Sequence, residues 1–252
     1  MPILVTDAVV LHTFNYMDTS RIFRLATRDA GMQSVLARGA RRSHKRYGSA
    51  LDLFASGVAQ IHTKPGRDLN TLSGFDVMAS APALAEDLGR FTAASALAEL
   101  HMRFVRDDAN PALYDALVDA LDAVALAAPD AVRGAGLAGA WRIVAELGFA
   151  PALDFCSVCH AELQPGEDVL FSHPAGGALC AVCARSVPGR RTLPARARDA
   201  LRGWQSGATV TLASDAEGRA HQRLLREFLH EHLHDTRPLR AYEVWERERW
   251  GA

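Results

Sequence analysis

The sequence lacks any apolar run long enough to cross a bilayer, although 49% of its 252 residues are hydrophobic. Its first residues also lack the basic region and the long apolar region that a secretory signal carries. No long low-complexity tract appears, and charged residues make up 23%, so global disorder is not expected. These absences predict a folded cytoplasmic protein that has no membrane partner.

Common catalytic motifs are also missing. The sequence contains no G-x-x-x-x-G-K-[ST] loop, no G-x-G-x-x-G and no G-x-S-x-G turn. One run, His230–His234, does match the H-E-x-x-H pattern of helical zinc proteases. A catalytic zinc needs a third protein ligand, and the downstream candidates are only acids such as Glu243. We therefore predict no catalytic residues and no enzyme activity, with a metallohydrolase using His230 and His234 as an alternative.

Cysteine is scarce, and all four cysteines of the chain fall in one segment. They are arranged as Cys156-x2-Cys159, twenty further residues, and Cys180-x2-Cys183. A gap of two residues allows both thiolates of a knuckle to face one metal ion, and two such knuckles complete a tetrahedral zinc site. A closed four-thiolate site leaves no open position for water, so we predict one structural zinc ion per chain. A redox pair or inert thiols are the alternatives.

The first 80 residues follow a β pattern. Strands are expected around Val9 and over residues 21–27, 32–37, 53–63 and 69–77, because these segments are rich in β-branched, aliphatic and aromatic residues. Five short, closely spaced strands need closure to protect their edges. The segment therefore predicts a five-stranded barrel of the OB-fold type.

From Ala83 onward the apolar residues recur with a helical period. We therefore predict an α+β protein, in which a DNA-binding OB-fold over residues 1–80 precedes an α-helical domain over residues 81–252. The zinc module, at about residues 153–188, is inserted in the helical domain. Three predicted stripes are Leu97, Leu100 and Phe104; Leu113, Leu117, Leu121 and Val124; and Leu137, Trp141, Val144 and Leu147.

The net charge of -1 hides an uneven distribution. Residues 1–80 carry a positive excess, concentrated in a basic cluster that follows the third predicted strand. Such a loop can contact phosphates and release counterions, whereas the alternative is a solvated loop without a ligand. Arg21 and Arg24 could add charge, and Phe14, Tyr16, Phe23 or Tyr47 could stack on bases. The basic cluster consists of Arg38, Arg41, Arg42, Lys45 and Arg46.

A second group of arginines lies at and after the end of the zinc module, which is called the cysteine segment below, and predicts a second DNA surface. The run extends from Arg185 to Arg202, and Asp199 is the one acid within it. An exposed helix face without a ligand is the alternative. The four arginines assigned to this surface are Arg190, Arg191, Arg196 and Arg198.

Several short motifs occur in order along the chain: VVLHT at 9–13, Tyr16, Asp18, LATRDAG at 25–31, ARGARR at 37–42, Leu51, Phe54, ELGFAP at 146–151, and the two cysteine knuckles with Gly176-Gly177 between them. In this order and spacing they resemble the RecO family of bacterial recombination mediators. The resemblance extends over most of the chain, to about residue 185. The remainder is less diagnostic.

The resemblance implies an N-terminal OB-fold, a helical domain and a zinc module. RecO-like proteins bind single- and double-stranded DNA, anneal complementary strands and, with RecR, help to load RecA on DNA coated by single-strand-binding protein. They are not enzymes, and some members lack the cysteines. Carried over residue by residue, the resemblance assigns zinc to the four cysteines and DNA binding to Arg38, Arg41 and Arg42, while Lys45 and Arg46 are added from their charge. A zinc-stabilised protein-interaction module without nucleic-acid binding is the main alternative.

Overall fold

A computed structural model describes residues 2–40, 51–64, 66, 68–105, 108–233 and 237–247. Its N-terminal part is a closed barrel with the strand order β1-β2-β3-β5-β4. Four of the five strand pairs are antiparallel and the short pair between β3 and β5 is parallel, and this arrangement confirms the expected OB-fold. The strands are β1 (Ile3–Tyr16), β2 (Ser20–Thr27), β3 (Gly31–Ala37), β4 (Ser56–His62) and β5 (Asn70–Ala79).

Strand β1 is 14 residues long and serves both sides of the barrel. Its first half pairs with β4 and its second half with β2. The pairing register with β2 shifts between Val10 and His12, which is the mark of a β-bulge. Val10 is buried inside the barrel, Leu11 is buried against the helices, and His12 is exposed. The bulge therefore changes which face of β1 meets water.

Strand β4 begins later than the sequence pattern predicted. The prediction started at Leu53, but the strand starts at Ser56. Leu53 and Phe54 form a turn in which Phe54 has a positive φ of 66° and donates its backbone N–H to the carbonyl of Val10 at 2.8 Å. Phe54 is nevertheless buried, at 5% exposure. Its apolar character thus reflects packing and not strand structure.

The helical part confirms the three predicted stripes. Their members are buried, apart from Phe104 and Leu147, which are half-buried. Asp87 and Asn110 cap two helices by accepting hydrogen bonds from the backbone N–H groups of Arg90 and Leu113. The α-helices in the described residues are α1 (Pro82–Glu86), α2 (Leu88–Phe104), α3 (Pro111–Leu126), α4 (Val132–Glu146), α5 (Ala195–Gln205), α6 (Asp215–His232) and α7 (Arg240–Arg247).

A small antiparallel sheet lies between α4 and α5 in the chain. It has the order β7-β6-β8, from β6 (Val169–Ser172), β7 (Gly177–Leu179) and β8 (Arg190–Leu193). Phe171 and Leu179 of this sheet belong to the same buried cluster as the helices. The cysteine segment is therefore packed on the helical core.

One side of the barrel packs on the helices. Val9, Leu11, Ala26 and Met32 are buried and join the same apolar cluster as the helical core. The division into domains at residue 80 stays a prediction, because one buried cluster contains residues from both sides of that boundary. Within the described residues, none of the helices combines the length and the apolar character needed to span a membrane.

Candidate metal centre and nucleic-acid interface

The four cysteines meet in space as the spacing predicted. Their sulfur atoms all lie within 4.8 Å of one another, and the Sγ atoms of Cys159 and Cys180 are 3.7 Å apart. A tetrahedral ion with Zn–S bonds of about 2.3 Å places its sulfurs about 3.8 Å from each other. A disulfide requires about 2.05 Å, and the four cysteines are free. The arrangement fits a four-coordinate metal ion.

Local backbone contacts build the two knuckles. In the first, the N–H of His160 donates to the carbonyl of Cys156 at 2.9 Å, and His160 takes a positive φ of 59° to close the turn. In the second, the N–H of Cys183 points at the sulfur of Cys180 at 3.4 Å. Gly177 brings the second knuckle close to the segment before the first, since a Cβ there would lie 2.3 Å from the carbonyl oxygen of Ala152. Glycine is required at this position.

The cysteines share their protons unequally. Burial raises the pKa of Cys156, but hydrogen bonds from the backbone N–H groups of Cys159, Cys180 and Val158 outweigh burial and lower that pKa to about 6. The backbone N–H of Cys183 likewise lowers the pKa of Cys180. Hydrogen bonds to the sulfurs of Cys159 and Cys180 raise the pKa of Cys183 to about 12. A metal cation that binds here must displace the proton of Cys183, whose pKa is raised.

The nearby histidines have other environments. His160 is exposed, while Nε2 of His173 lies 3.1 Å from a carboxylate oxygen of Glu227 on α6. His230 is exposed at the end of α6, and His234 lies outside the described residues. Among the residues that the structure describes, the cysteine cluster is the one group with metal-ligating geometry.

The structure corrects one arginine of the predicted second surface. Arg198 is buried at 1% exposure. Its guanidinium donates hydrogen bonds to the carbonyls of Leu153, Gln164 and Leu163 at 2.9, 2.6 and 3.3 Å. Spacing on the sequence suggested an exposed position, but the cysteine segment folds over α5 and covers it. Arg198 therefore ties the cysteine segment to α5 and cannot present its charge to DNA.

The other three arginines of this group are exposed but already have partners. Arg190 donates to the carbonyl of Val187 at 3.0 Å. Arg191 forms an ion pair with Glu227 at 2.8 Å, and Arg196 forms one with Glu217 at 2.9 Å. Two of the three charges are thus balanced by carboxylates. The second surface stays a prediction, with its positive charge reduced.

The basic cluster is described only at its start. Arg38 directly follows β3 and is exposed. Arg41, Arg42, Lys45 and Arg46 lie outside the described residues. They continue the chain from the end of β3, which belongs to the same sheet as β1 and β2.

The aromatic candidates separate into exposed and buried ones. Phe14 and Tyr16 are 43% and 38% exposed, whereas Phe23 is 1% exposed inside the barrel and cannot stack on a ligand. Tyr47 lies outside the described residues. The sequence did not predict His12 as an exposed candidate, because the bulge that turns its side chain outward has no clear signal in the sequence. The centroids of the His12 and Phe14 rings are 4.9 Å apart.

A groove of about 700 Å³ lies between α3, α4 and the segment 207–215. Alanines and glycines of α3 and α4 form much of its wall. Its charged residues pair with one another, Arg133 with Asp215 at 2.8 Å and Arg142 with Asp119 at 2.9 Å, and Asp130 adds a further carboxylate. The charges of the groove therefore show no preference for an anionic ligand.

An OB-type barrel, packed on a helical body whose four clustered cysteines could bind a metal ion, defines the class of this protein. The family model "Recombination protein O N terminal" matches residues 1–81, and "Recombination protein O C terminal" matches residues 85–241. The chain belongs to the RecO family. Membership assigns it a role in recombinational DNA repair.

Curated relatives support the same conclusion. The chain is 38% identical over 234 residues to the DNA repair protein RecO of Anaeromyxobacter sp. (strain K), covering 89% of both chains. It is 32% identical to DNA repair protein RecO of Myxococcus xanthus, covering 90% of this chain and 91% of the relative. Identity to DNA repair protein RecO of Rubrobacter xylanophilus is 30%, over 89% and 88% of the two chains.

Proposed function

We propose that this protein is a DNA-binding recombination mediator. It binds single- and double-stranded DNA, anneals complementary strands and, together with RecR, assists RecA loading on DNA coated by single-strand-binding protein. The observation that carries the proposal is that Arg38, the first residue of the basic cluster, is exposed directly after β3, which pairs with β2 in the barrel. The outer face around β2 and β3 is where OB-folds bind oligonucleotides.

The chemistry of annealing suits a cationic loop. Two DNA strands repel each other through their phosphates, and cations on one surface reduce this repulsion and release counterions. No bond is made or broken, so no catalytic residue is needed. We propose that Arg38, Arg41, Arg42, Lys45 and Arg46 contact phosphates and hold strands without reading their sequence.

We further propose that the four cysteines hold one structural zinc ion. Thiolates select soft or borderline ions over magnesium and calcium, and the separation of the sulfurs fits Zn–S bonds. The ion would fix the knuckles of a segment that is short of local secondary structure. Its four protein ligands leave no position for a reacting water.

Partners and location follow from the same proposal. RecR and single-strand-binding protein bind directly, RecA is affected indirectly, and the protein works at the nucleoid in the cytoplasm. Family membership supports these assignments.

A charge-reversal variant tests the basic cluster. Arg41→Glu with Arg42→Glu is expected to weaken binding to single-stranded and duplex DNA about tenfold or more at moderate salt, because two phosphate contacts become repulsive. The slope of log affinity against log salt is expected to become shallower by about 2, since each lost contact contributes about 0.9. Fluorescence anisotropy over a salt series measures both quantities.

The matched control changes the net charge equally but away from the barrel. Arg223→Glu with Arg247→Glu alters two exposed arginines of α6 and α7. This variant is expected to keep both affinities within about twofold, because a charge change outside the DNA-contacting surface acts only through screened, long-range attraction. Equal losses in the two variants, or no loss in the first, would contradict a specific role of the cluster. A strand-annealing assay then tests the mediator activity itself, with complementary strands that are either bare or coated by single-strand-binding protein.

One observation favours the second candidate, a protein-interaction module. Each knuckle exposes apolar side chains: Phe155 is 53% exposed, Val158 50% and Val182 74%. Exposed apolar side chains are a feature of surfaces that bind other proteins. If the wild-type chain binds no DNA but captures a protein partner through Phe155, this candidate replaces the first.

A further inference from the structure

We propose that the outer face of the barrel carries a platform that stacks the unpaired bases of a single-stranded nucleic acid. The stacking platform consists of His12, Phe14 and Tyr16. It rests on the proposed DNA-binding function but assigns a different task to different residues, because it concerns bases and not phosphates.

The platform follows from strand geometry. His12, Phe14 and Tyr16 occupy alternate positions of β1 after the bulge, so their side chains leave the same face. Their partners on β2 are Arg24, Ile22 and Ser20, and the first two continue to Ser34 and Leu36 on β3. Phe23 and Leu25, at the intervening positions of β2, fill the barrel interior. The three rings are therefore directed away from the core.

Exposure of these rings is unexplained by the fold. Phe14 and Tyr16 remain 43% and 38% exposed, and Met17 in the adjoining turn is 76% exposed. His12 and Phe14 contact each other, with ring planes tilted by 48°, so their rings form one connected surface. Such a surface costs free energy in water unless a ligand covers it.

The charges around the rings favour an anionic ligand. Arg24 lies opposite His12, and among the described residues its buried Nε makes no hydrogen bond. Arg38 is exposed directly after β3, whose residue Ala37 pairs with Arg21 beside Ser20. The paired rows that carry the rings contain no carboxylate; Asp18 lies in the turn beyond them. Aromatic rings beside arginines are the combination that binds single strands.

The spacing explains why the bases must be unpaired. Side chains two residues apart on a strand are about 7 Å apart, which is twice the step of about 3.4 Å between stacked bases of a duplex. Neighbouring bases that bind Phe14 and Tyr16 must therefore separate from each other. A single strand does so at small cost, whereas a duplex keeps its base faces covered. The platform thus distinguishes single strands from duplex DNA.

Replacing the rings tests the inference. We expect Phe14→Leu with Tyr16→Leu in the full chain to weaken binding of an oligothymidine strand about 10-fold to 100-fold, as removal of stacking partners does. Duplex affinity and the salt slope for the single strand are expected to stay unchanged, because no phosphate contact is lost. Tyr16→Phe retains the ring and is expected to bind like the wild type.

Two controls make the result decisive. Phe155→Leu removes an exposed ring from the first knuckle and is expected to leave single-strand affinity unchanged. Thermal unfolding of every variant identifies any that lose the fold, and for these the Tyr16→Leu single variant replaces the double one.

Undiminished single-strand affinity, or an equal loss of affinity for duplex DNA, would overturn the stacking platform but would not contradict the role of the basic cluster. Loss of RecR capture with intact DNA binding would instead make this face a protein contact. Absence of all DNA binding in the wild type would overturn the proposed function and the platform with it.

Discussion

Arg198 shows how burial changes the role of a charged residue. Its guanidinium reaches three backbone carbonyls of the cysteine segment, at Leu153, Gln164 and Leu163. None of these contacts is an ion pair, so the charge is stabilised by carbonyl dipoles. Arg196, two residues earlier, is exposed on the surface of α5. Of these two arginines of α5, Arg198 therefore has a structural role, whereas Arg196 lies at the solvent-exposed surface.

This contrast gives the first prediction. Arg198→Met keeps the volume of the side chain but leaves three carbonyls without donors, and we expect it to lower the free energy of unfolding by about 3 to 5 kcal/mol. Arg196→Met removes a surface ion pair and is expected to cost less than about 1 kcal/mol. Urea unfolding of both variants measures the difference. Equal, small effects would show that Arg198 does not hold the cysteine segment.

The same residue shows where sequence reasoning stops. The pattern of arginines after Cys183 predicted a surface, since charged residues are mostly exposed. Burial of Arg198 depends on a segment more than 30 residues earlier in the chain, at Leu153 to Gln164, and no local pattern indicates such a contact. His12 is similar, because its exposure follows from a bulge in the pairing of two strands.

At the scale of elements, the periodicity of the sequence predicted the type of each strand and helix better than the residue at which it begins. The barrel strands and the helical stripes were predicted because alternation and helical period are properties of each segment. The predicted start of β4 was wrong, because the apolar residue Phe54 is buried in a turn with positive φ and does not belong to the strand. The cysteine cluster was predicted because its chemistry, unlike its packing, depends on spacing alone.

The cysteine segment gives the second prediction. Cys156→Ser with Cys183→Ser is expected to reduce the zinc content from one ion per chain to none. We expect the loss to cost about 4 kcal/mol or more and to lower Tm by about 8 to 16 °C. Elemental analysis and calorimetry measure the two effects.

DNA binding, which is assigned to the barrel, serves as the control measurement for this cysteine variant. DNA affinity is expected to stay within about twofold of wild type, because the basic cluster and the stacking platform lie outside the cysteine segment. A large loss of DNA binding in a variant that remains folded would show that the metal supports the DNA interface. Unchanged metal content would instead contradict the zinc site.

At the scale of the whole molecule, the barrel and the helices share one buried cluster. Val9, Leu11 and Met32 belong to the barrel by chain connection and to the helical core by packing. Arg28 of the barrel end also forms a two-point ion pair with Asp115 of α3, with Nη2 and Oδ2 3.0 Å apart. The apolar contact outweighs this pair, because both charged side chains remain about 40% exposed and are screened by water.

Shared packing predicts that the two parts unfold together. Leu11→Ala opens a cavity between barrel and helices and is expected to cost about 2 to 5 kcal/mol, whereas Arg28→Ala is expected to cost less than about 1 kcal/mol. All four tryptophans lie after residue 81, so tryptophan fluorescence reports the helical part, while far-UV circular dichroism reports both parts. In urea, Leu11→Ala should move the midpoints of both signals equally. If the fluorescence midpoint stays at its wild-type value while the dichroism transition splits, the barrel folds independently and the cluster does not couple the two parts.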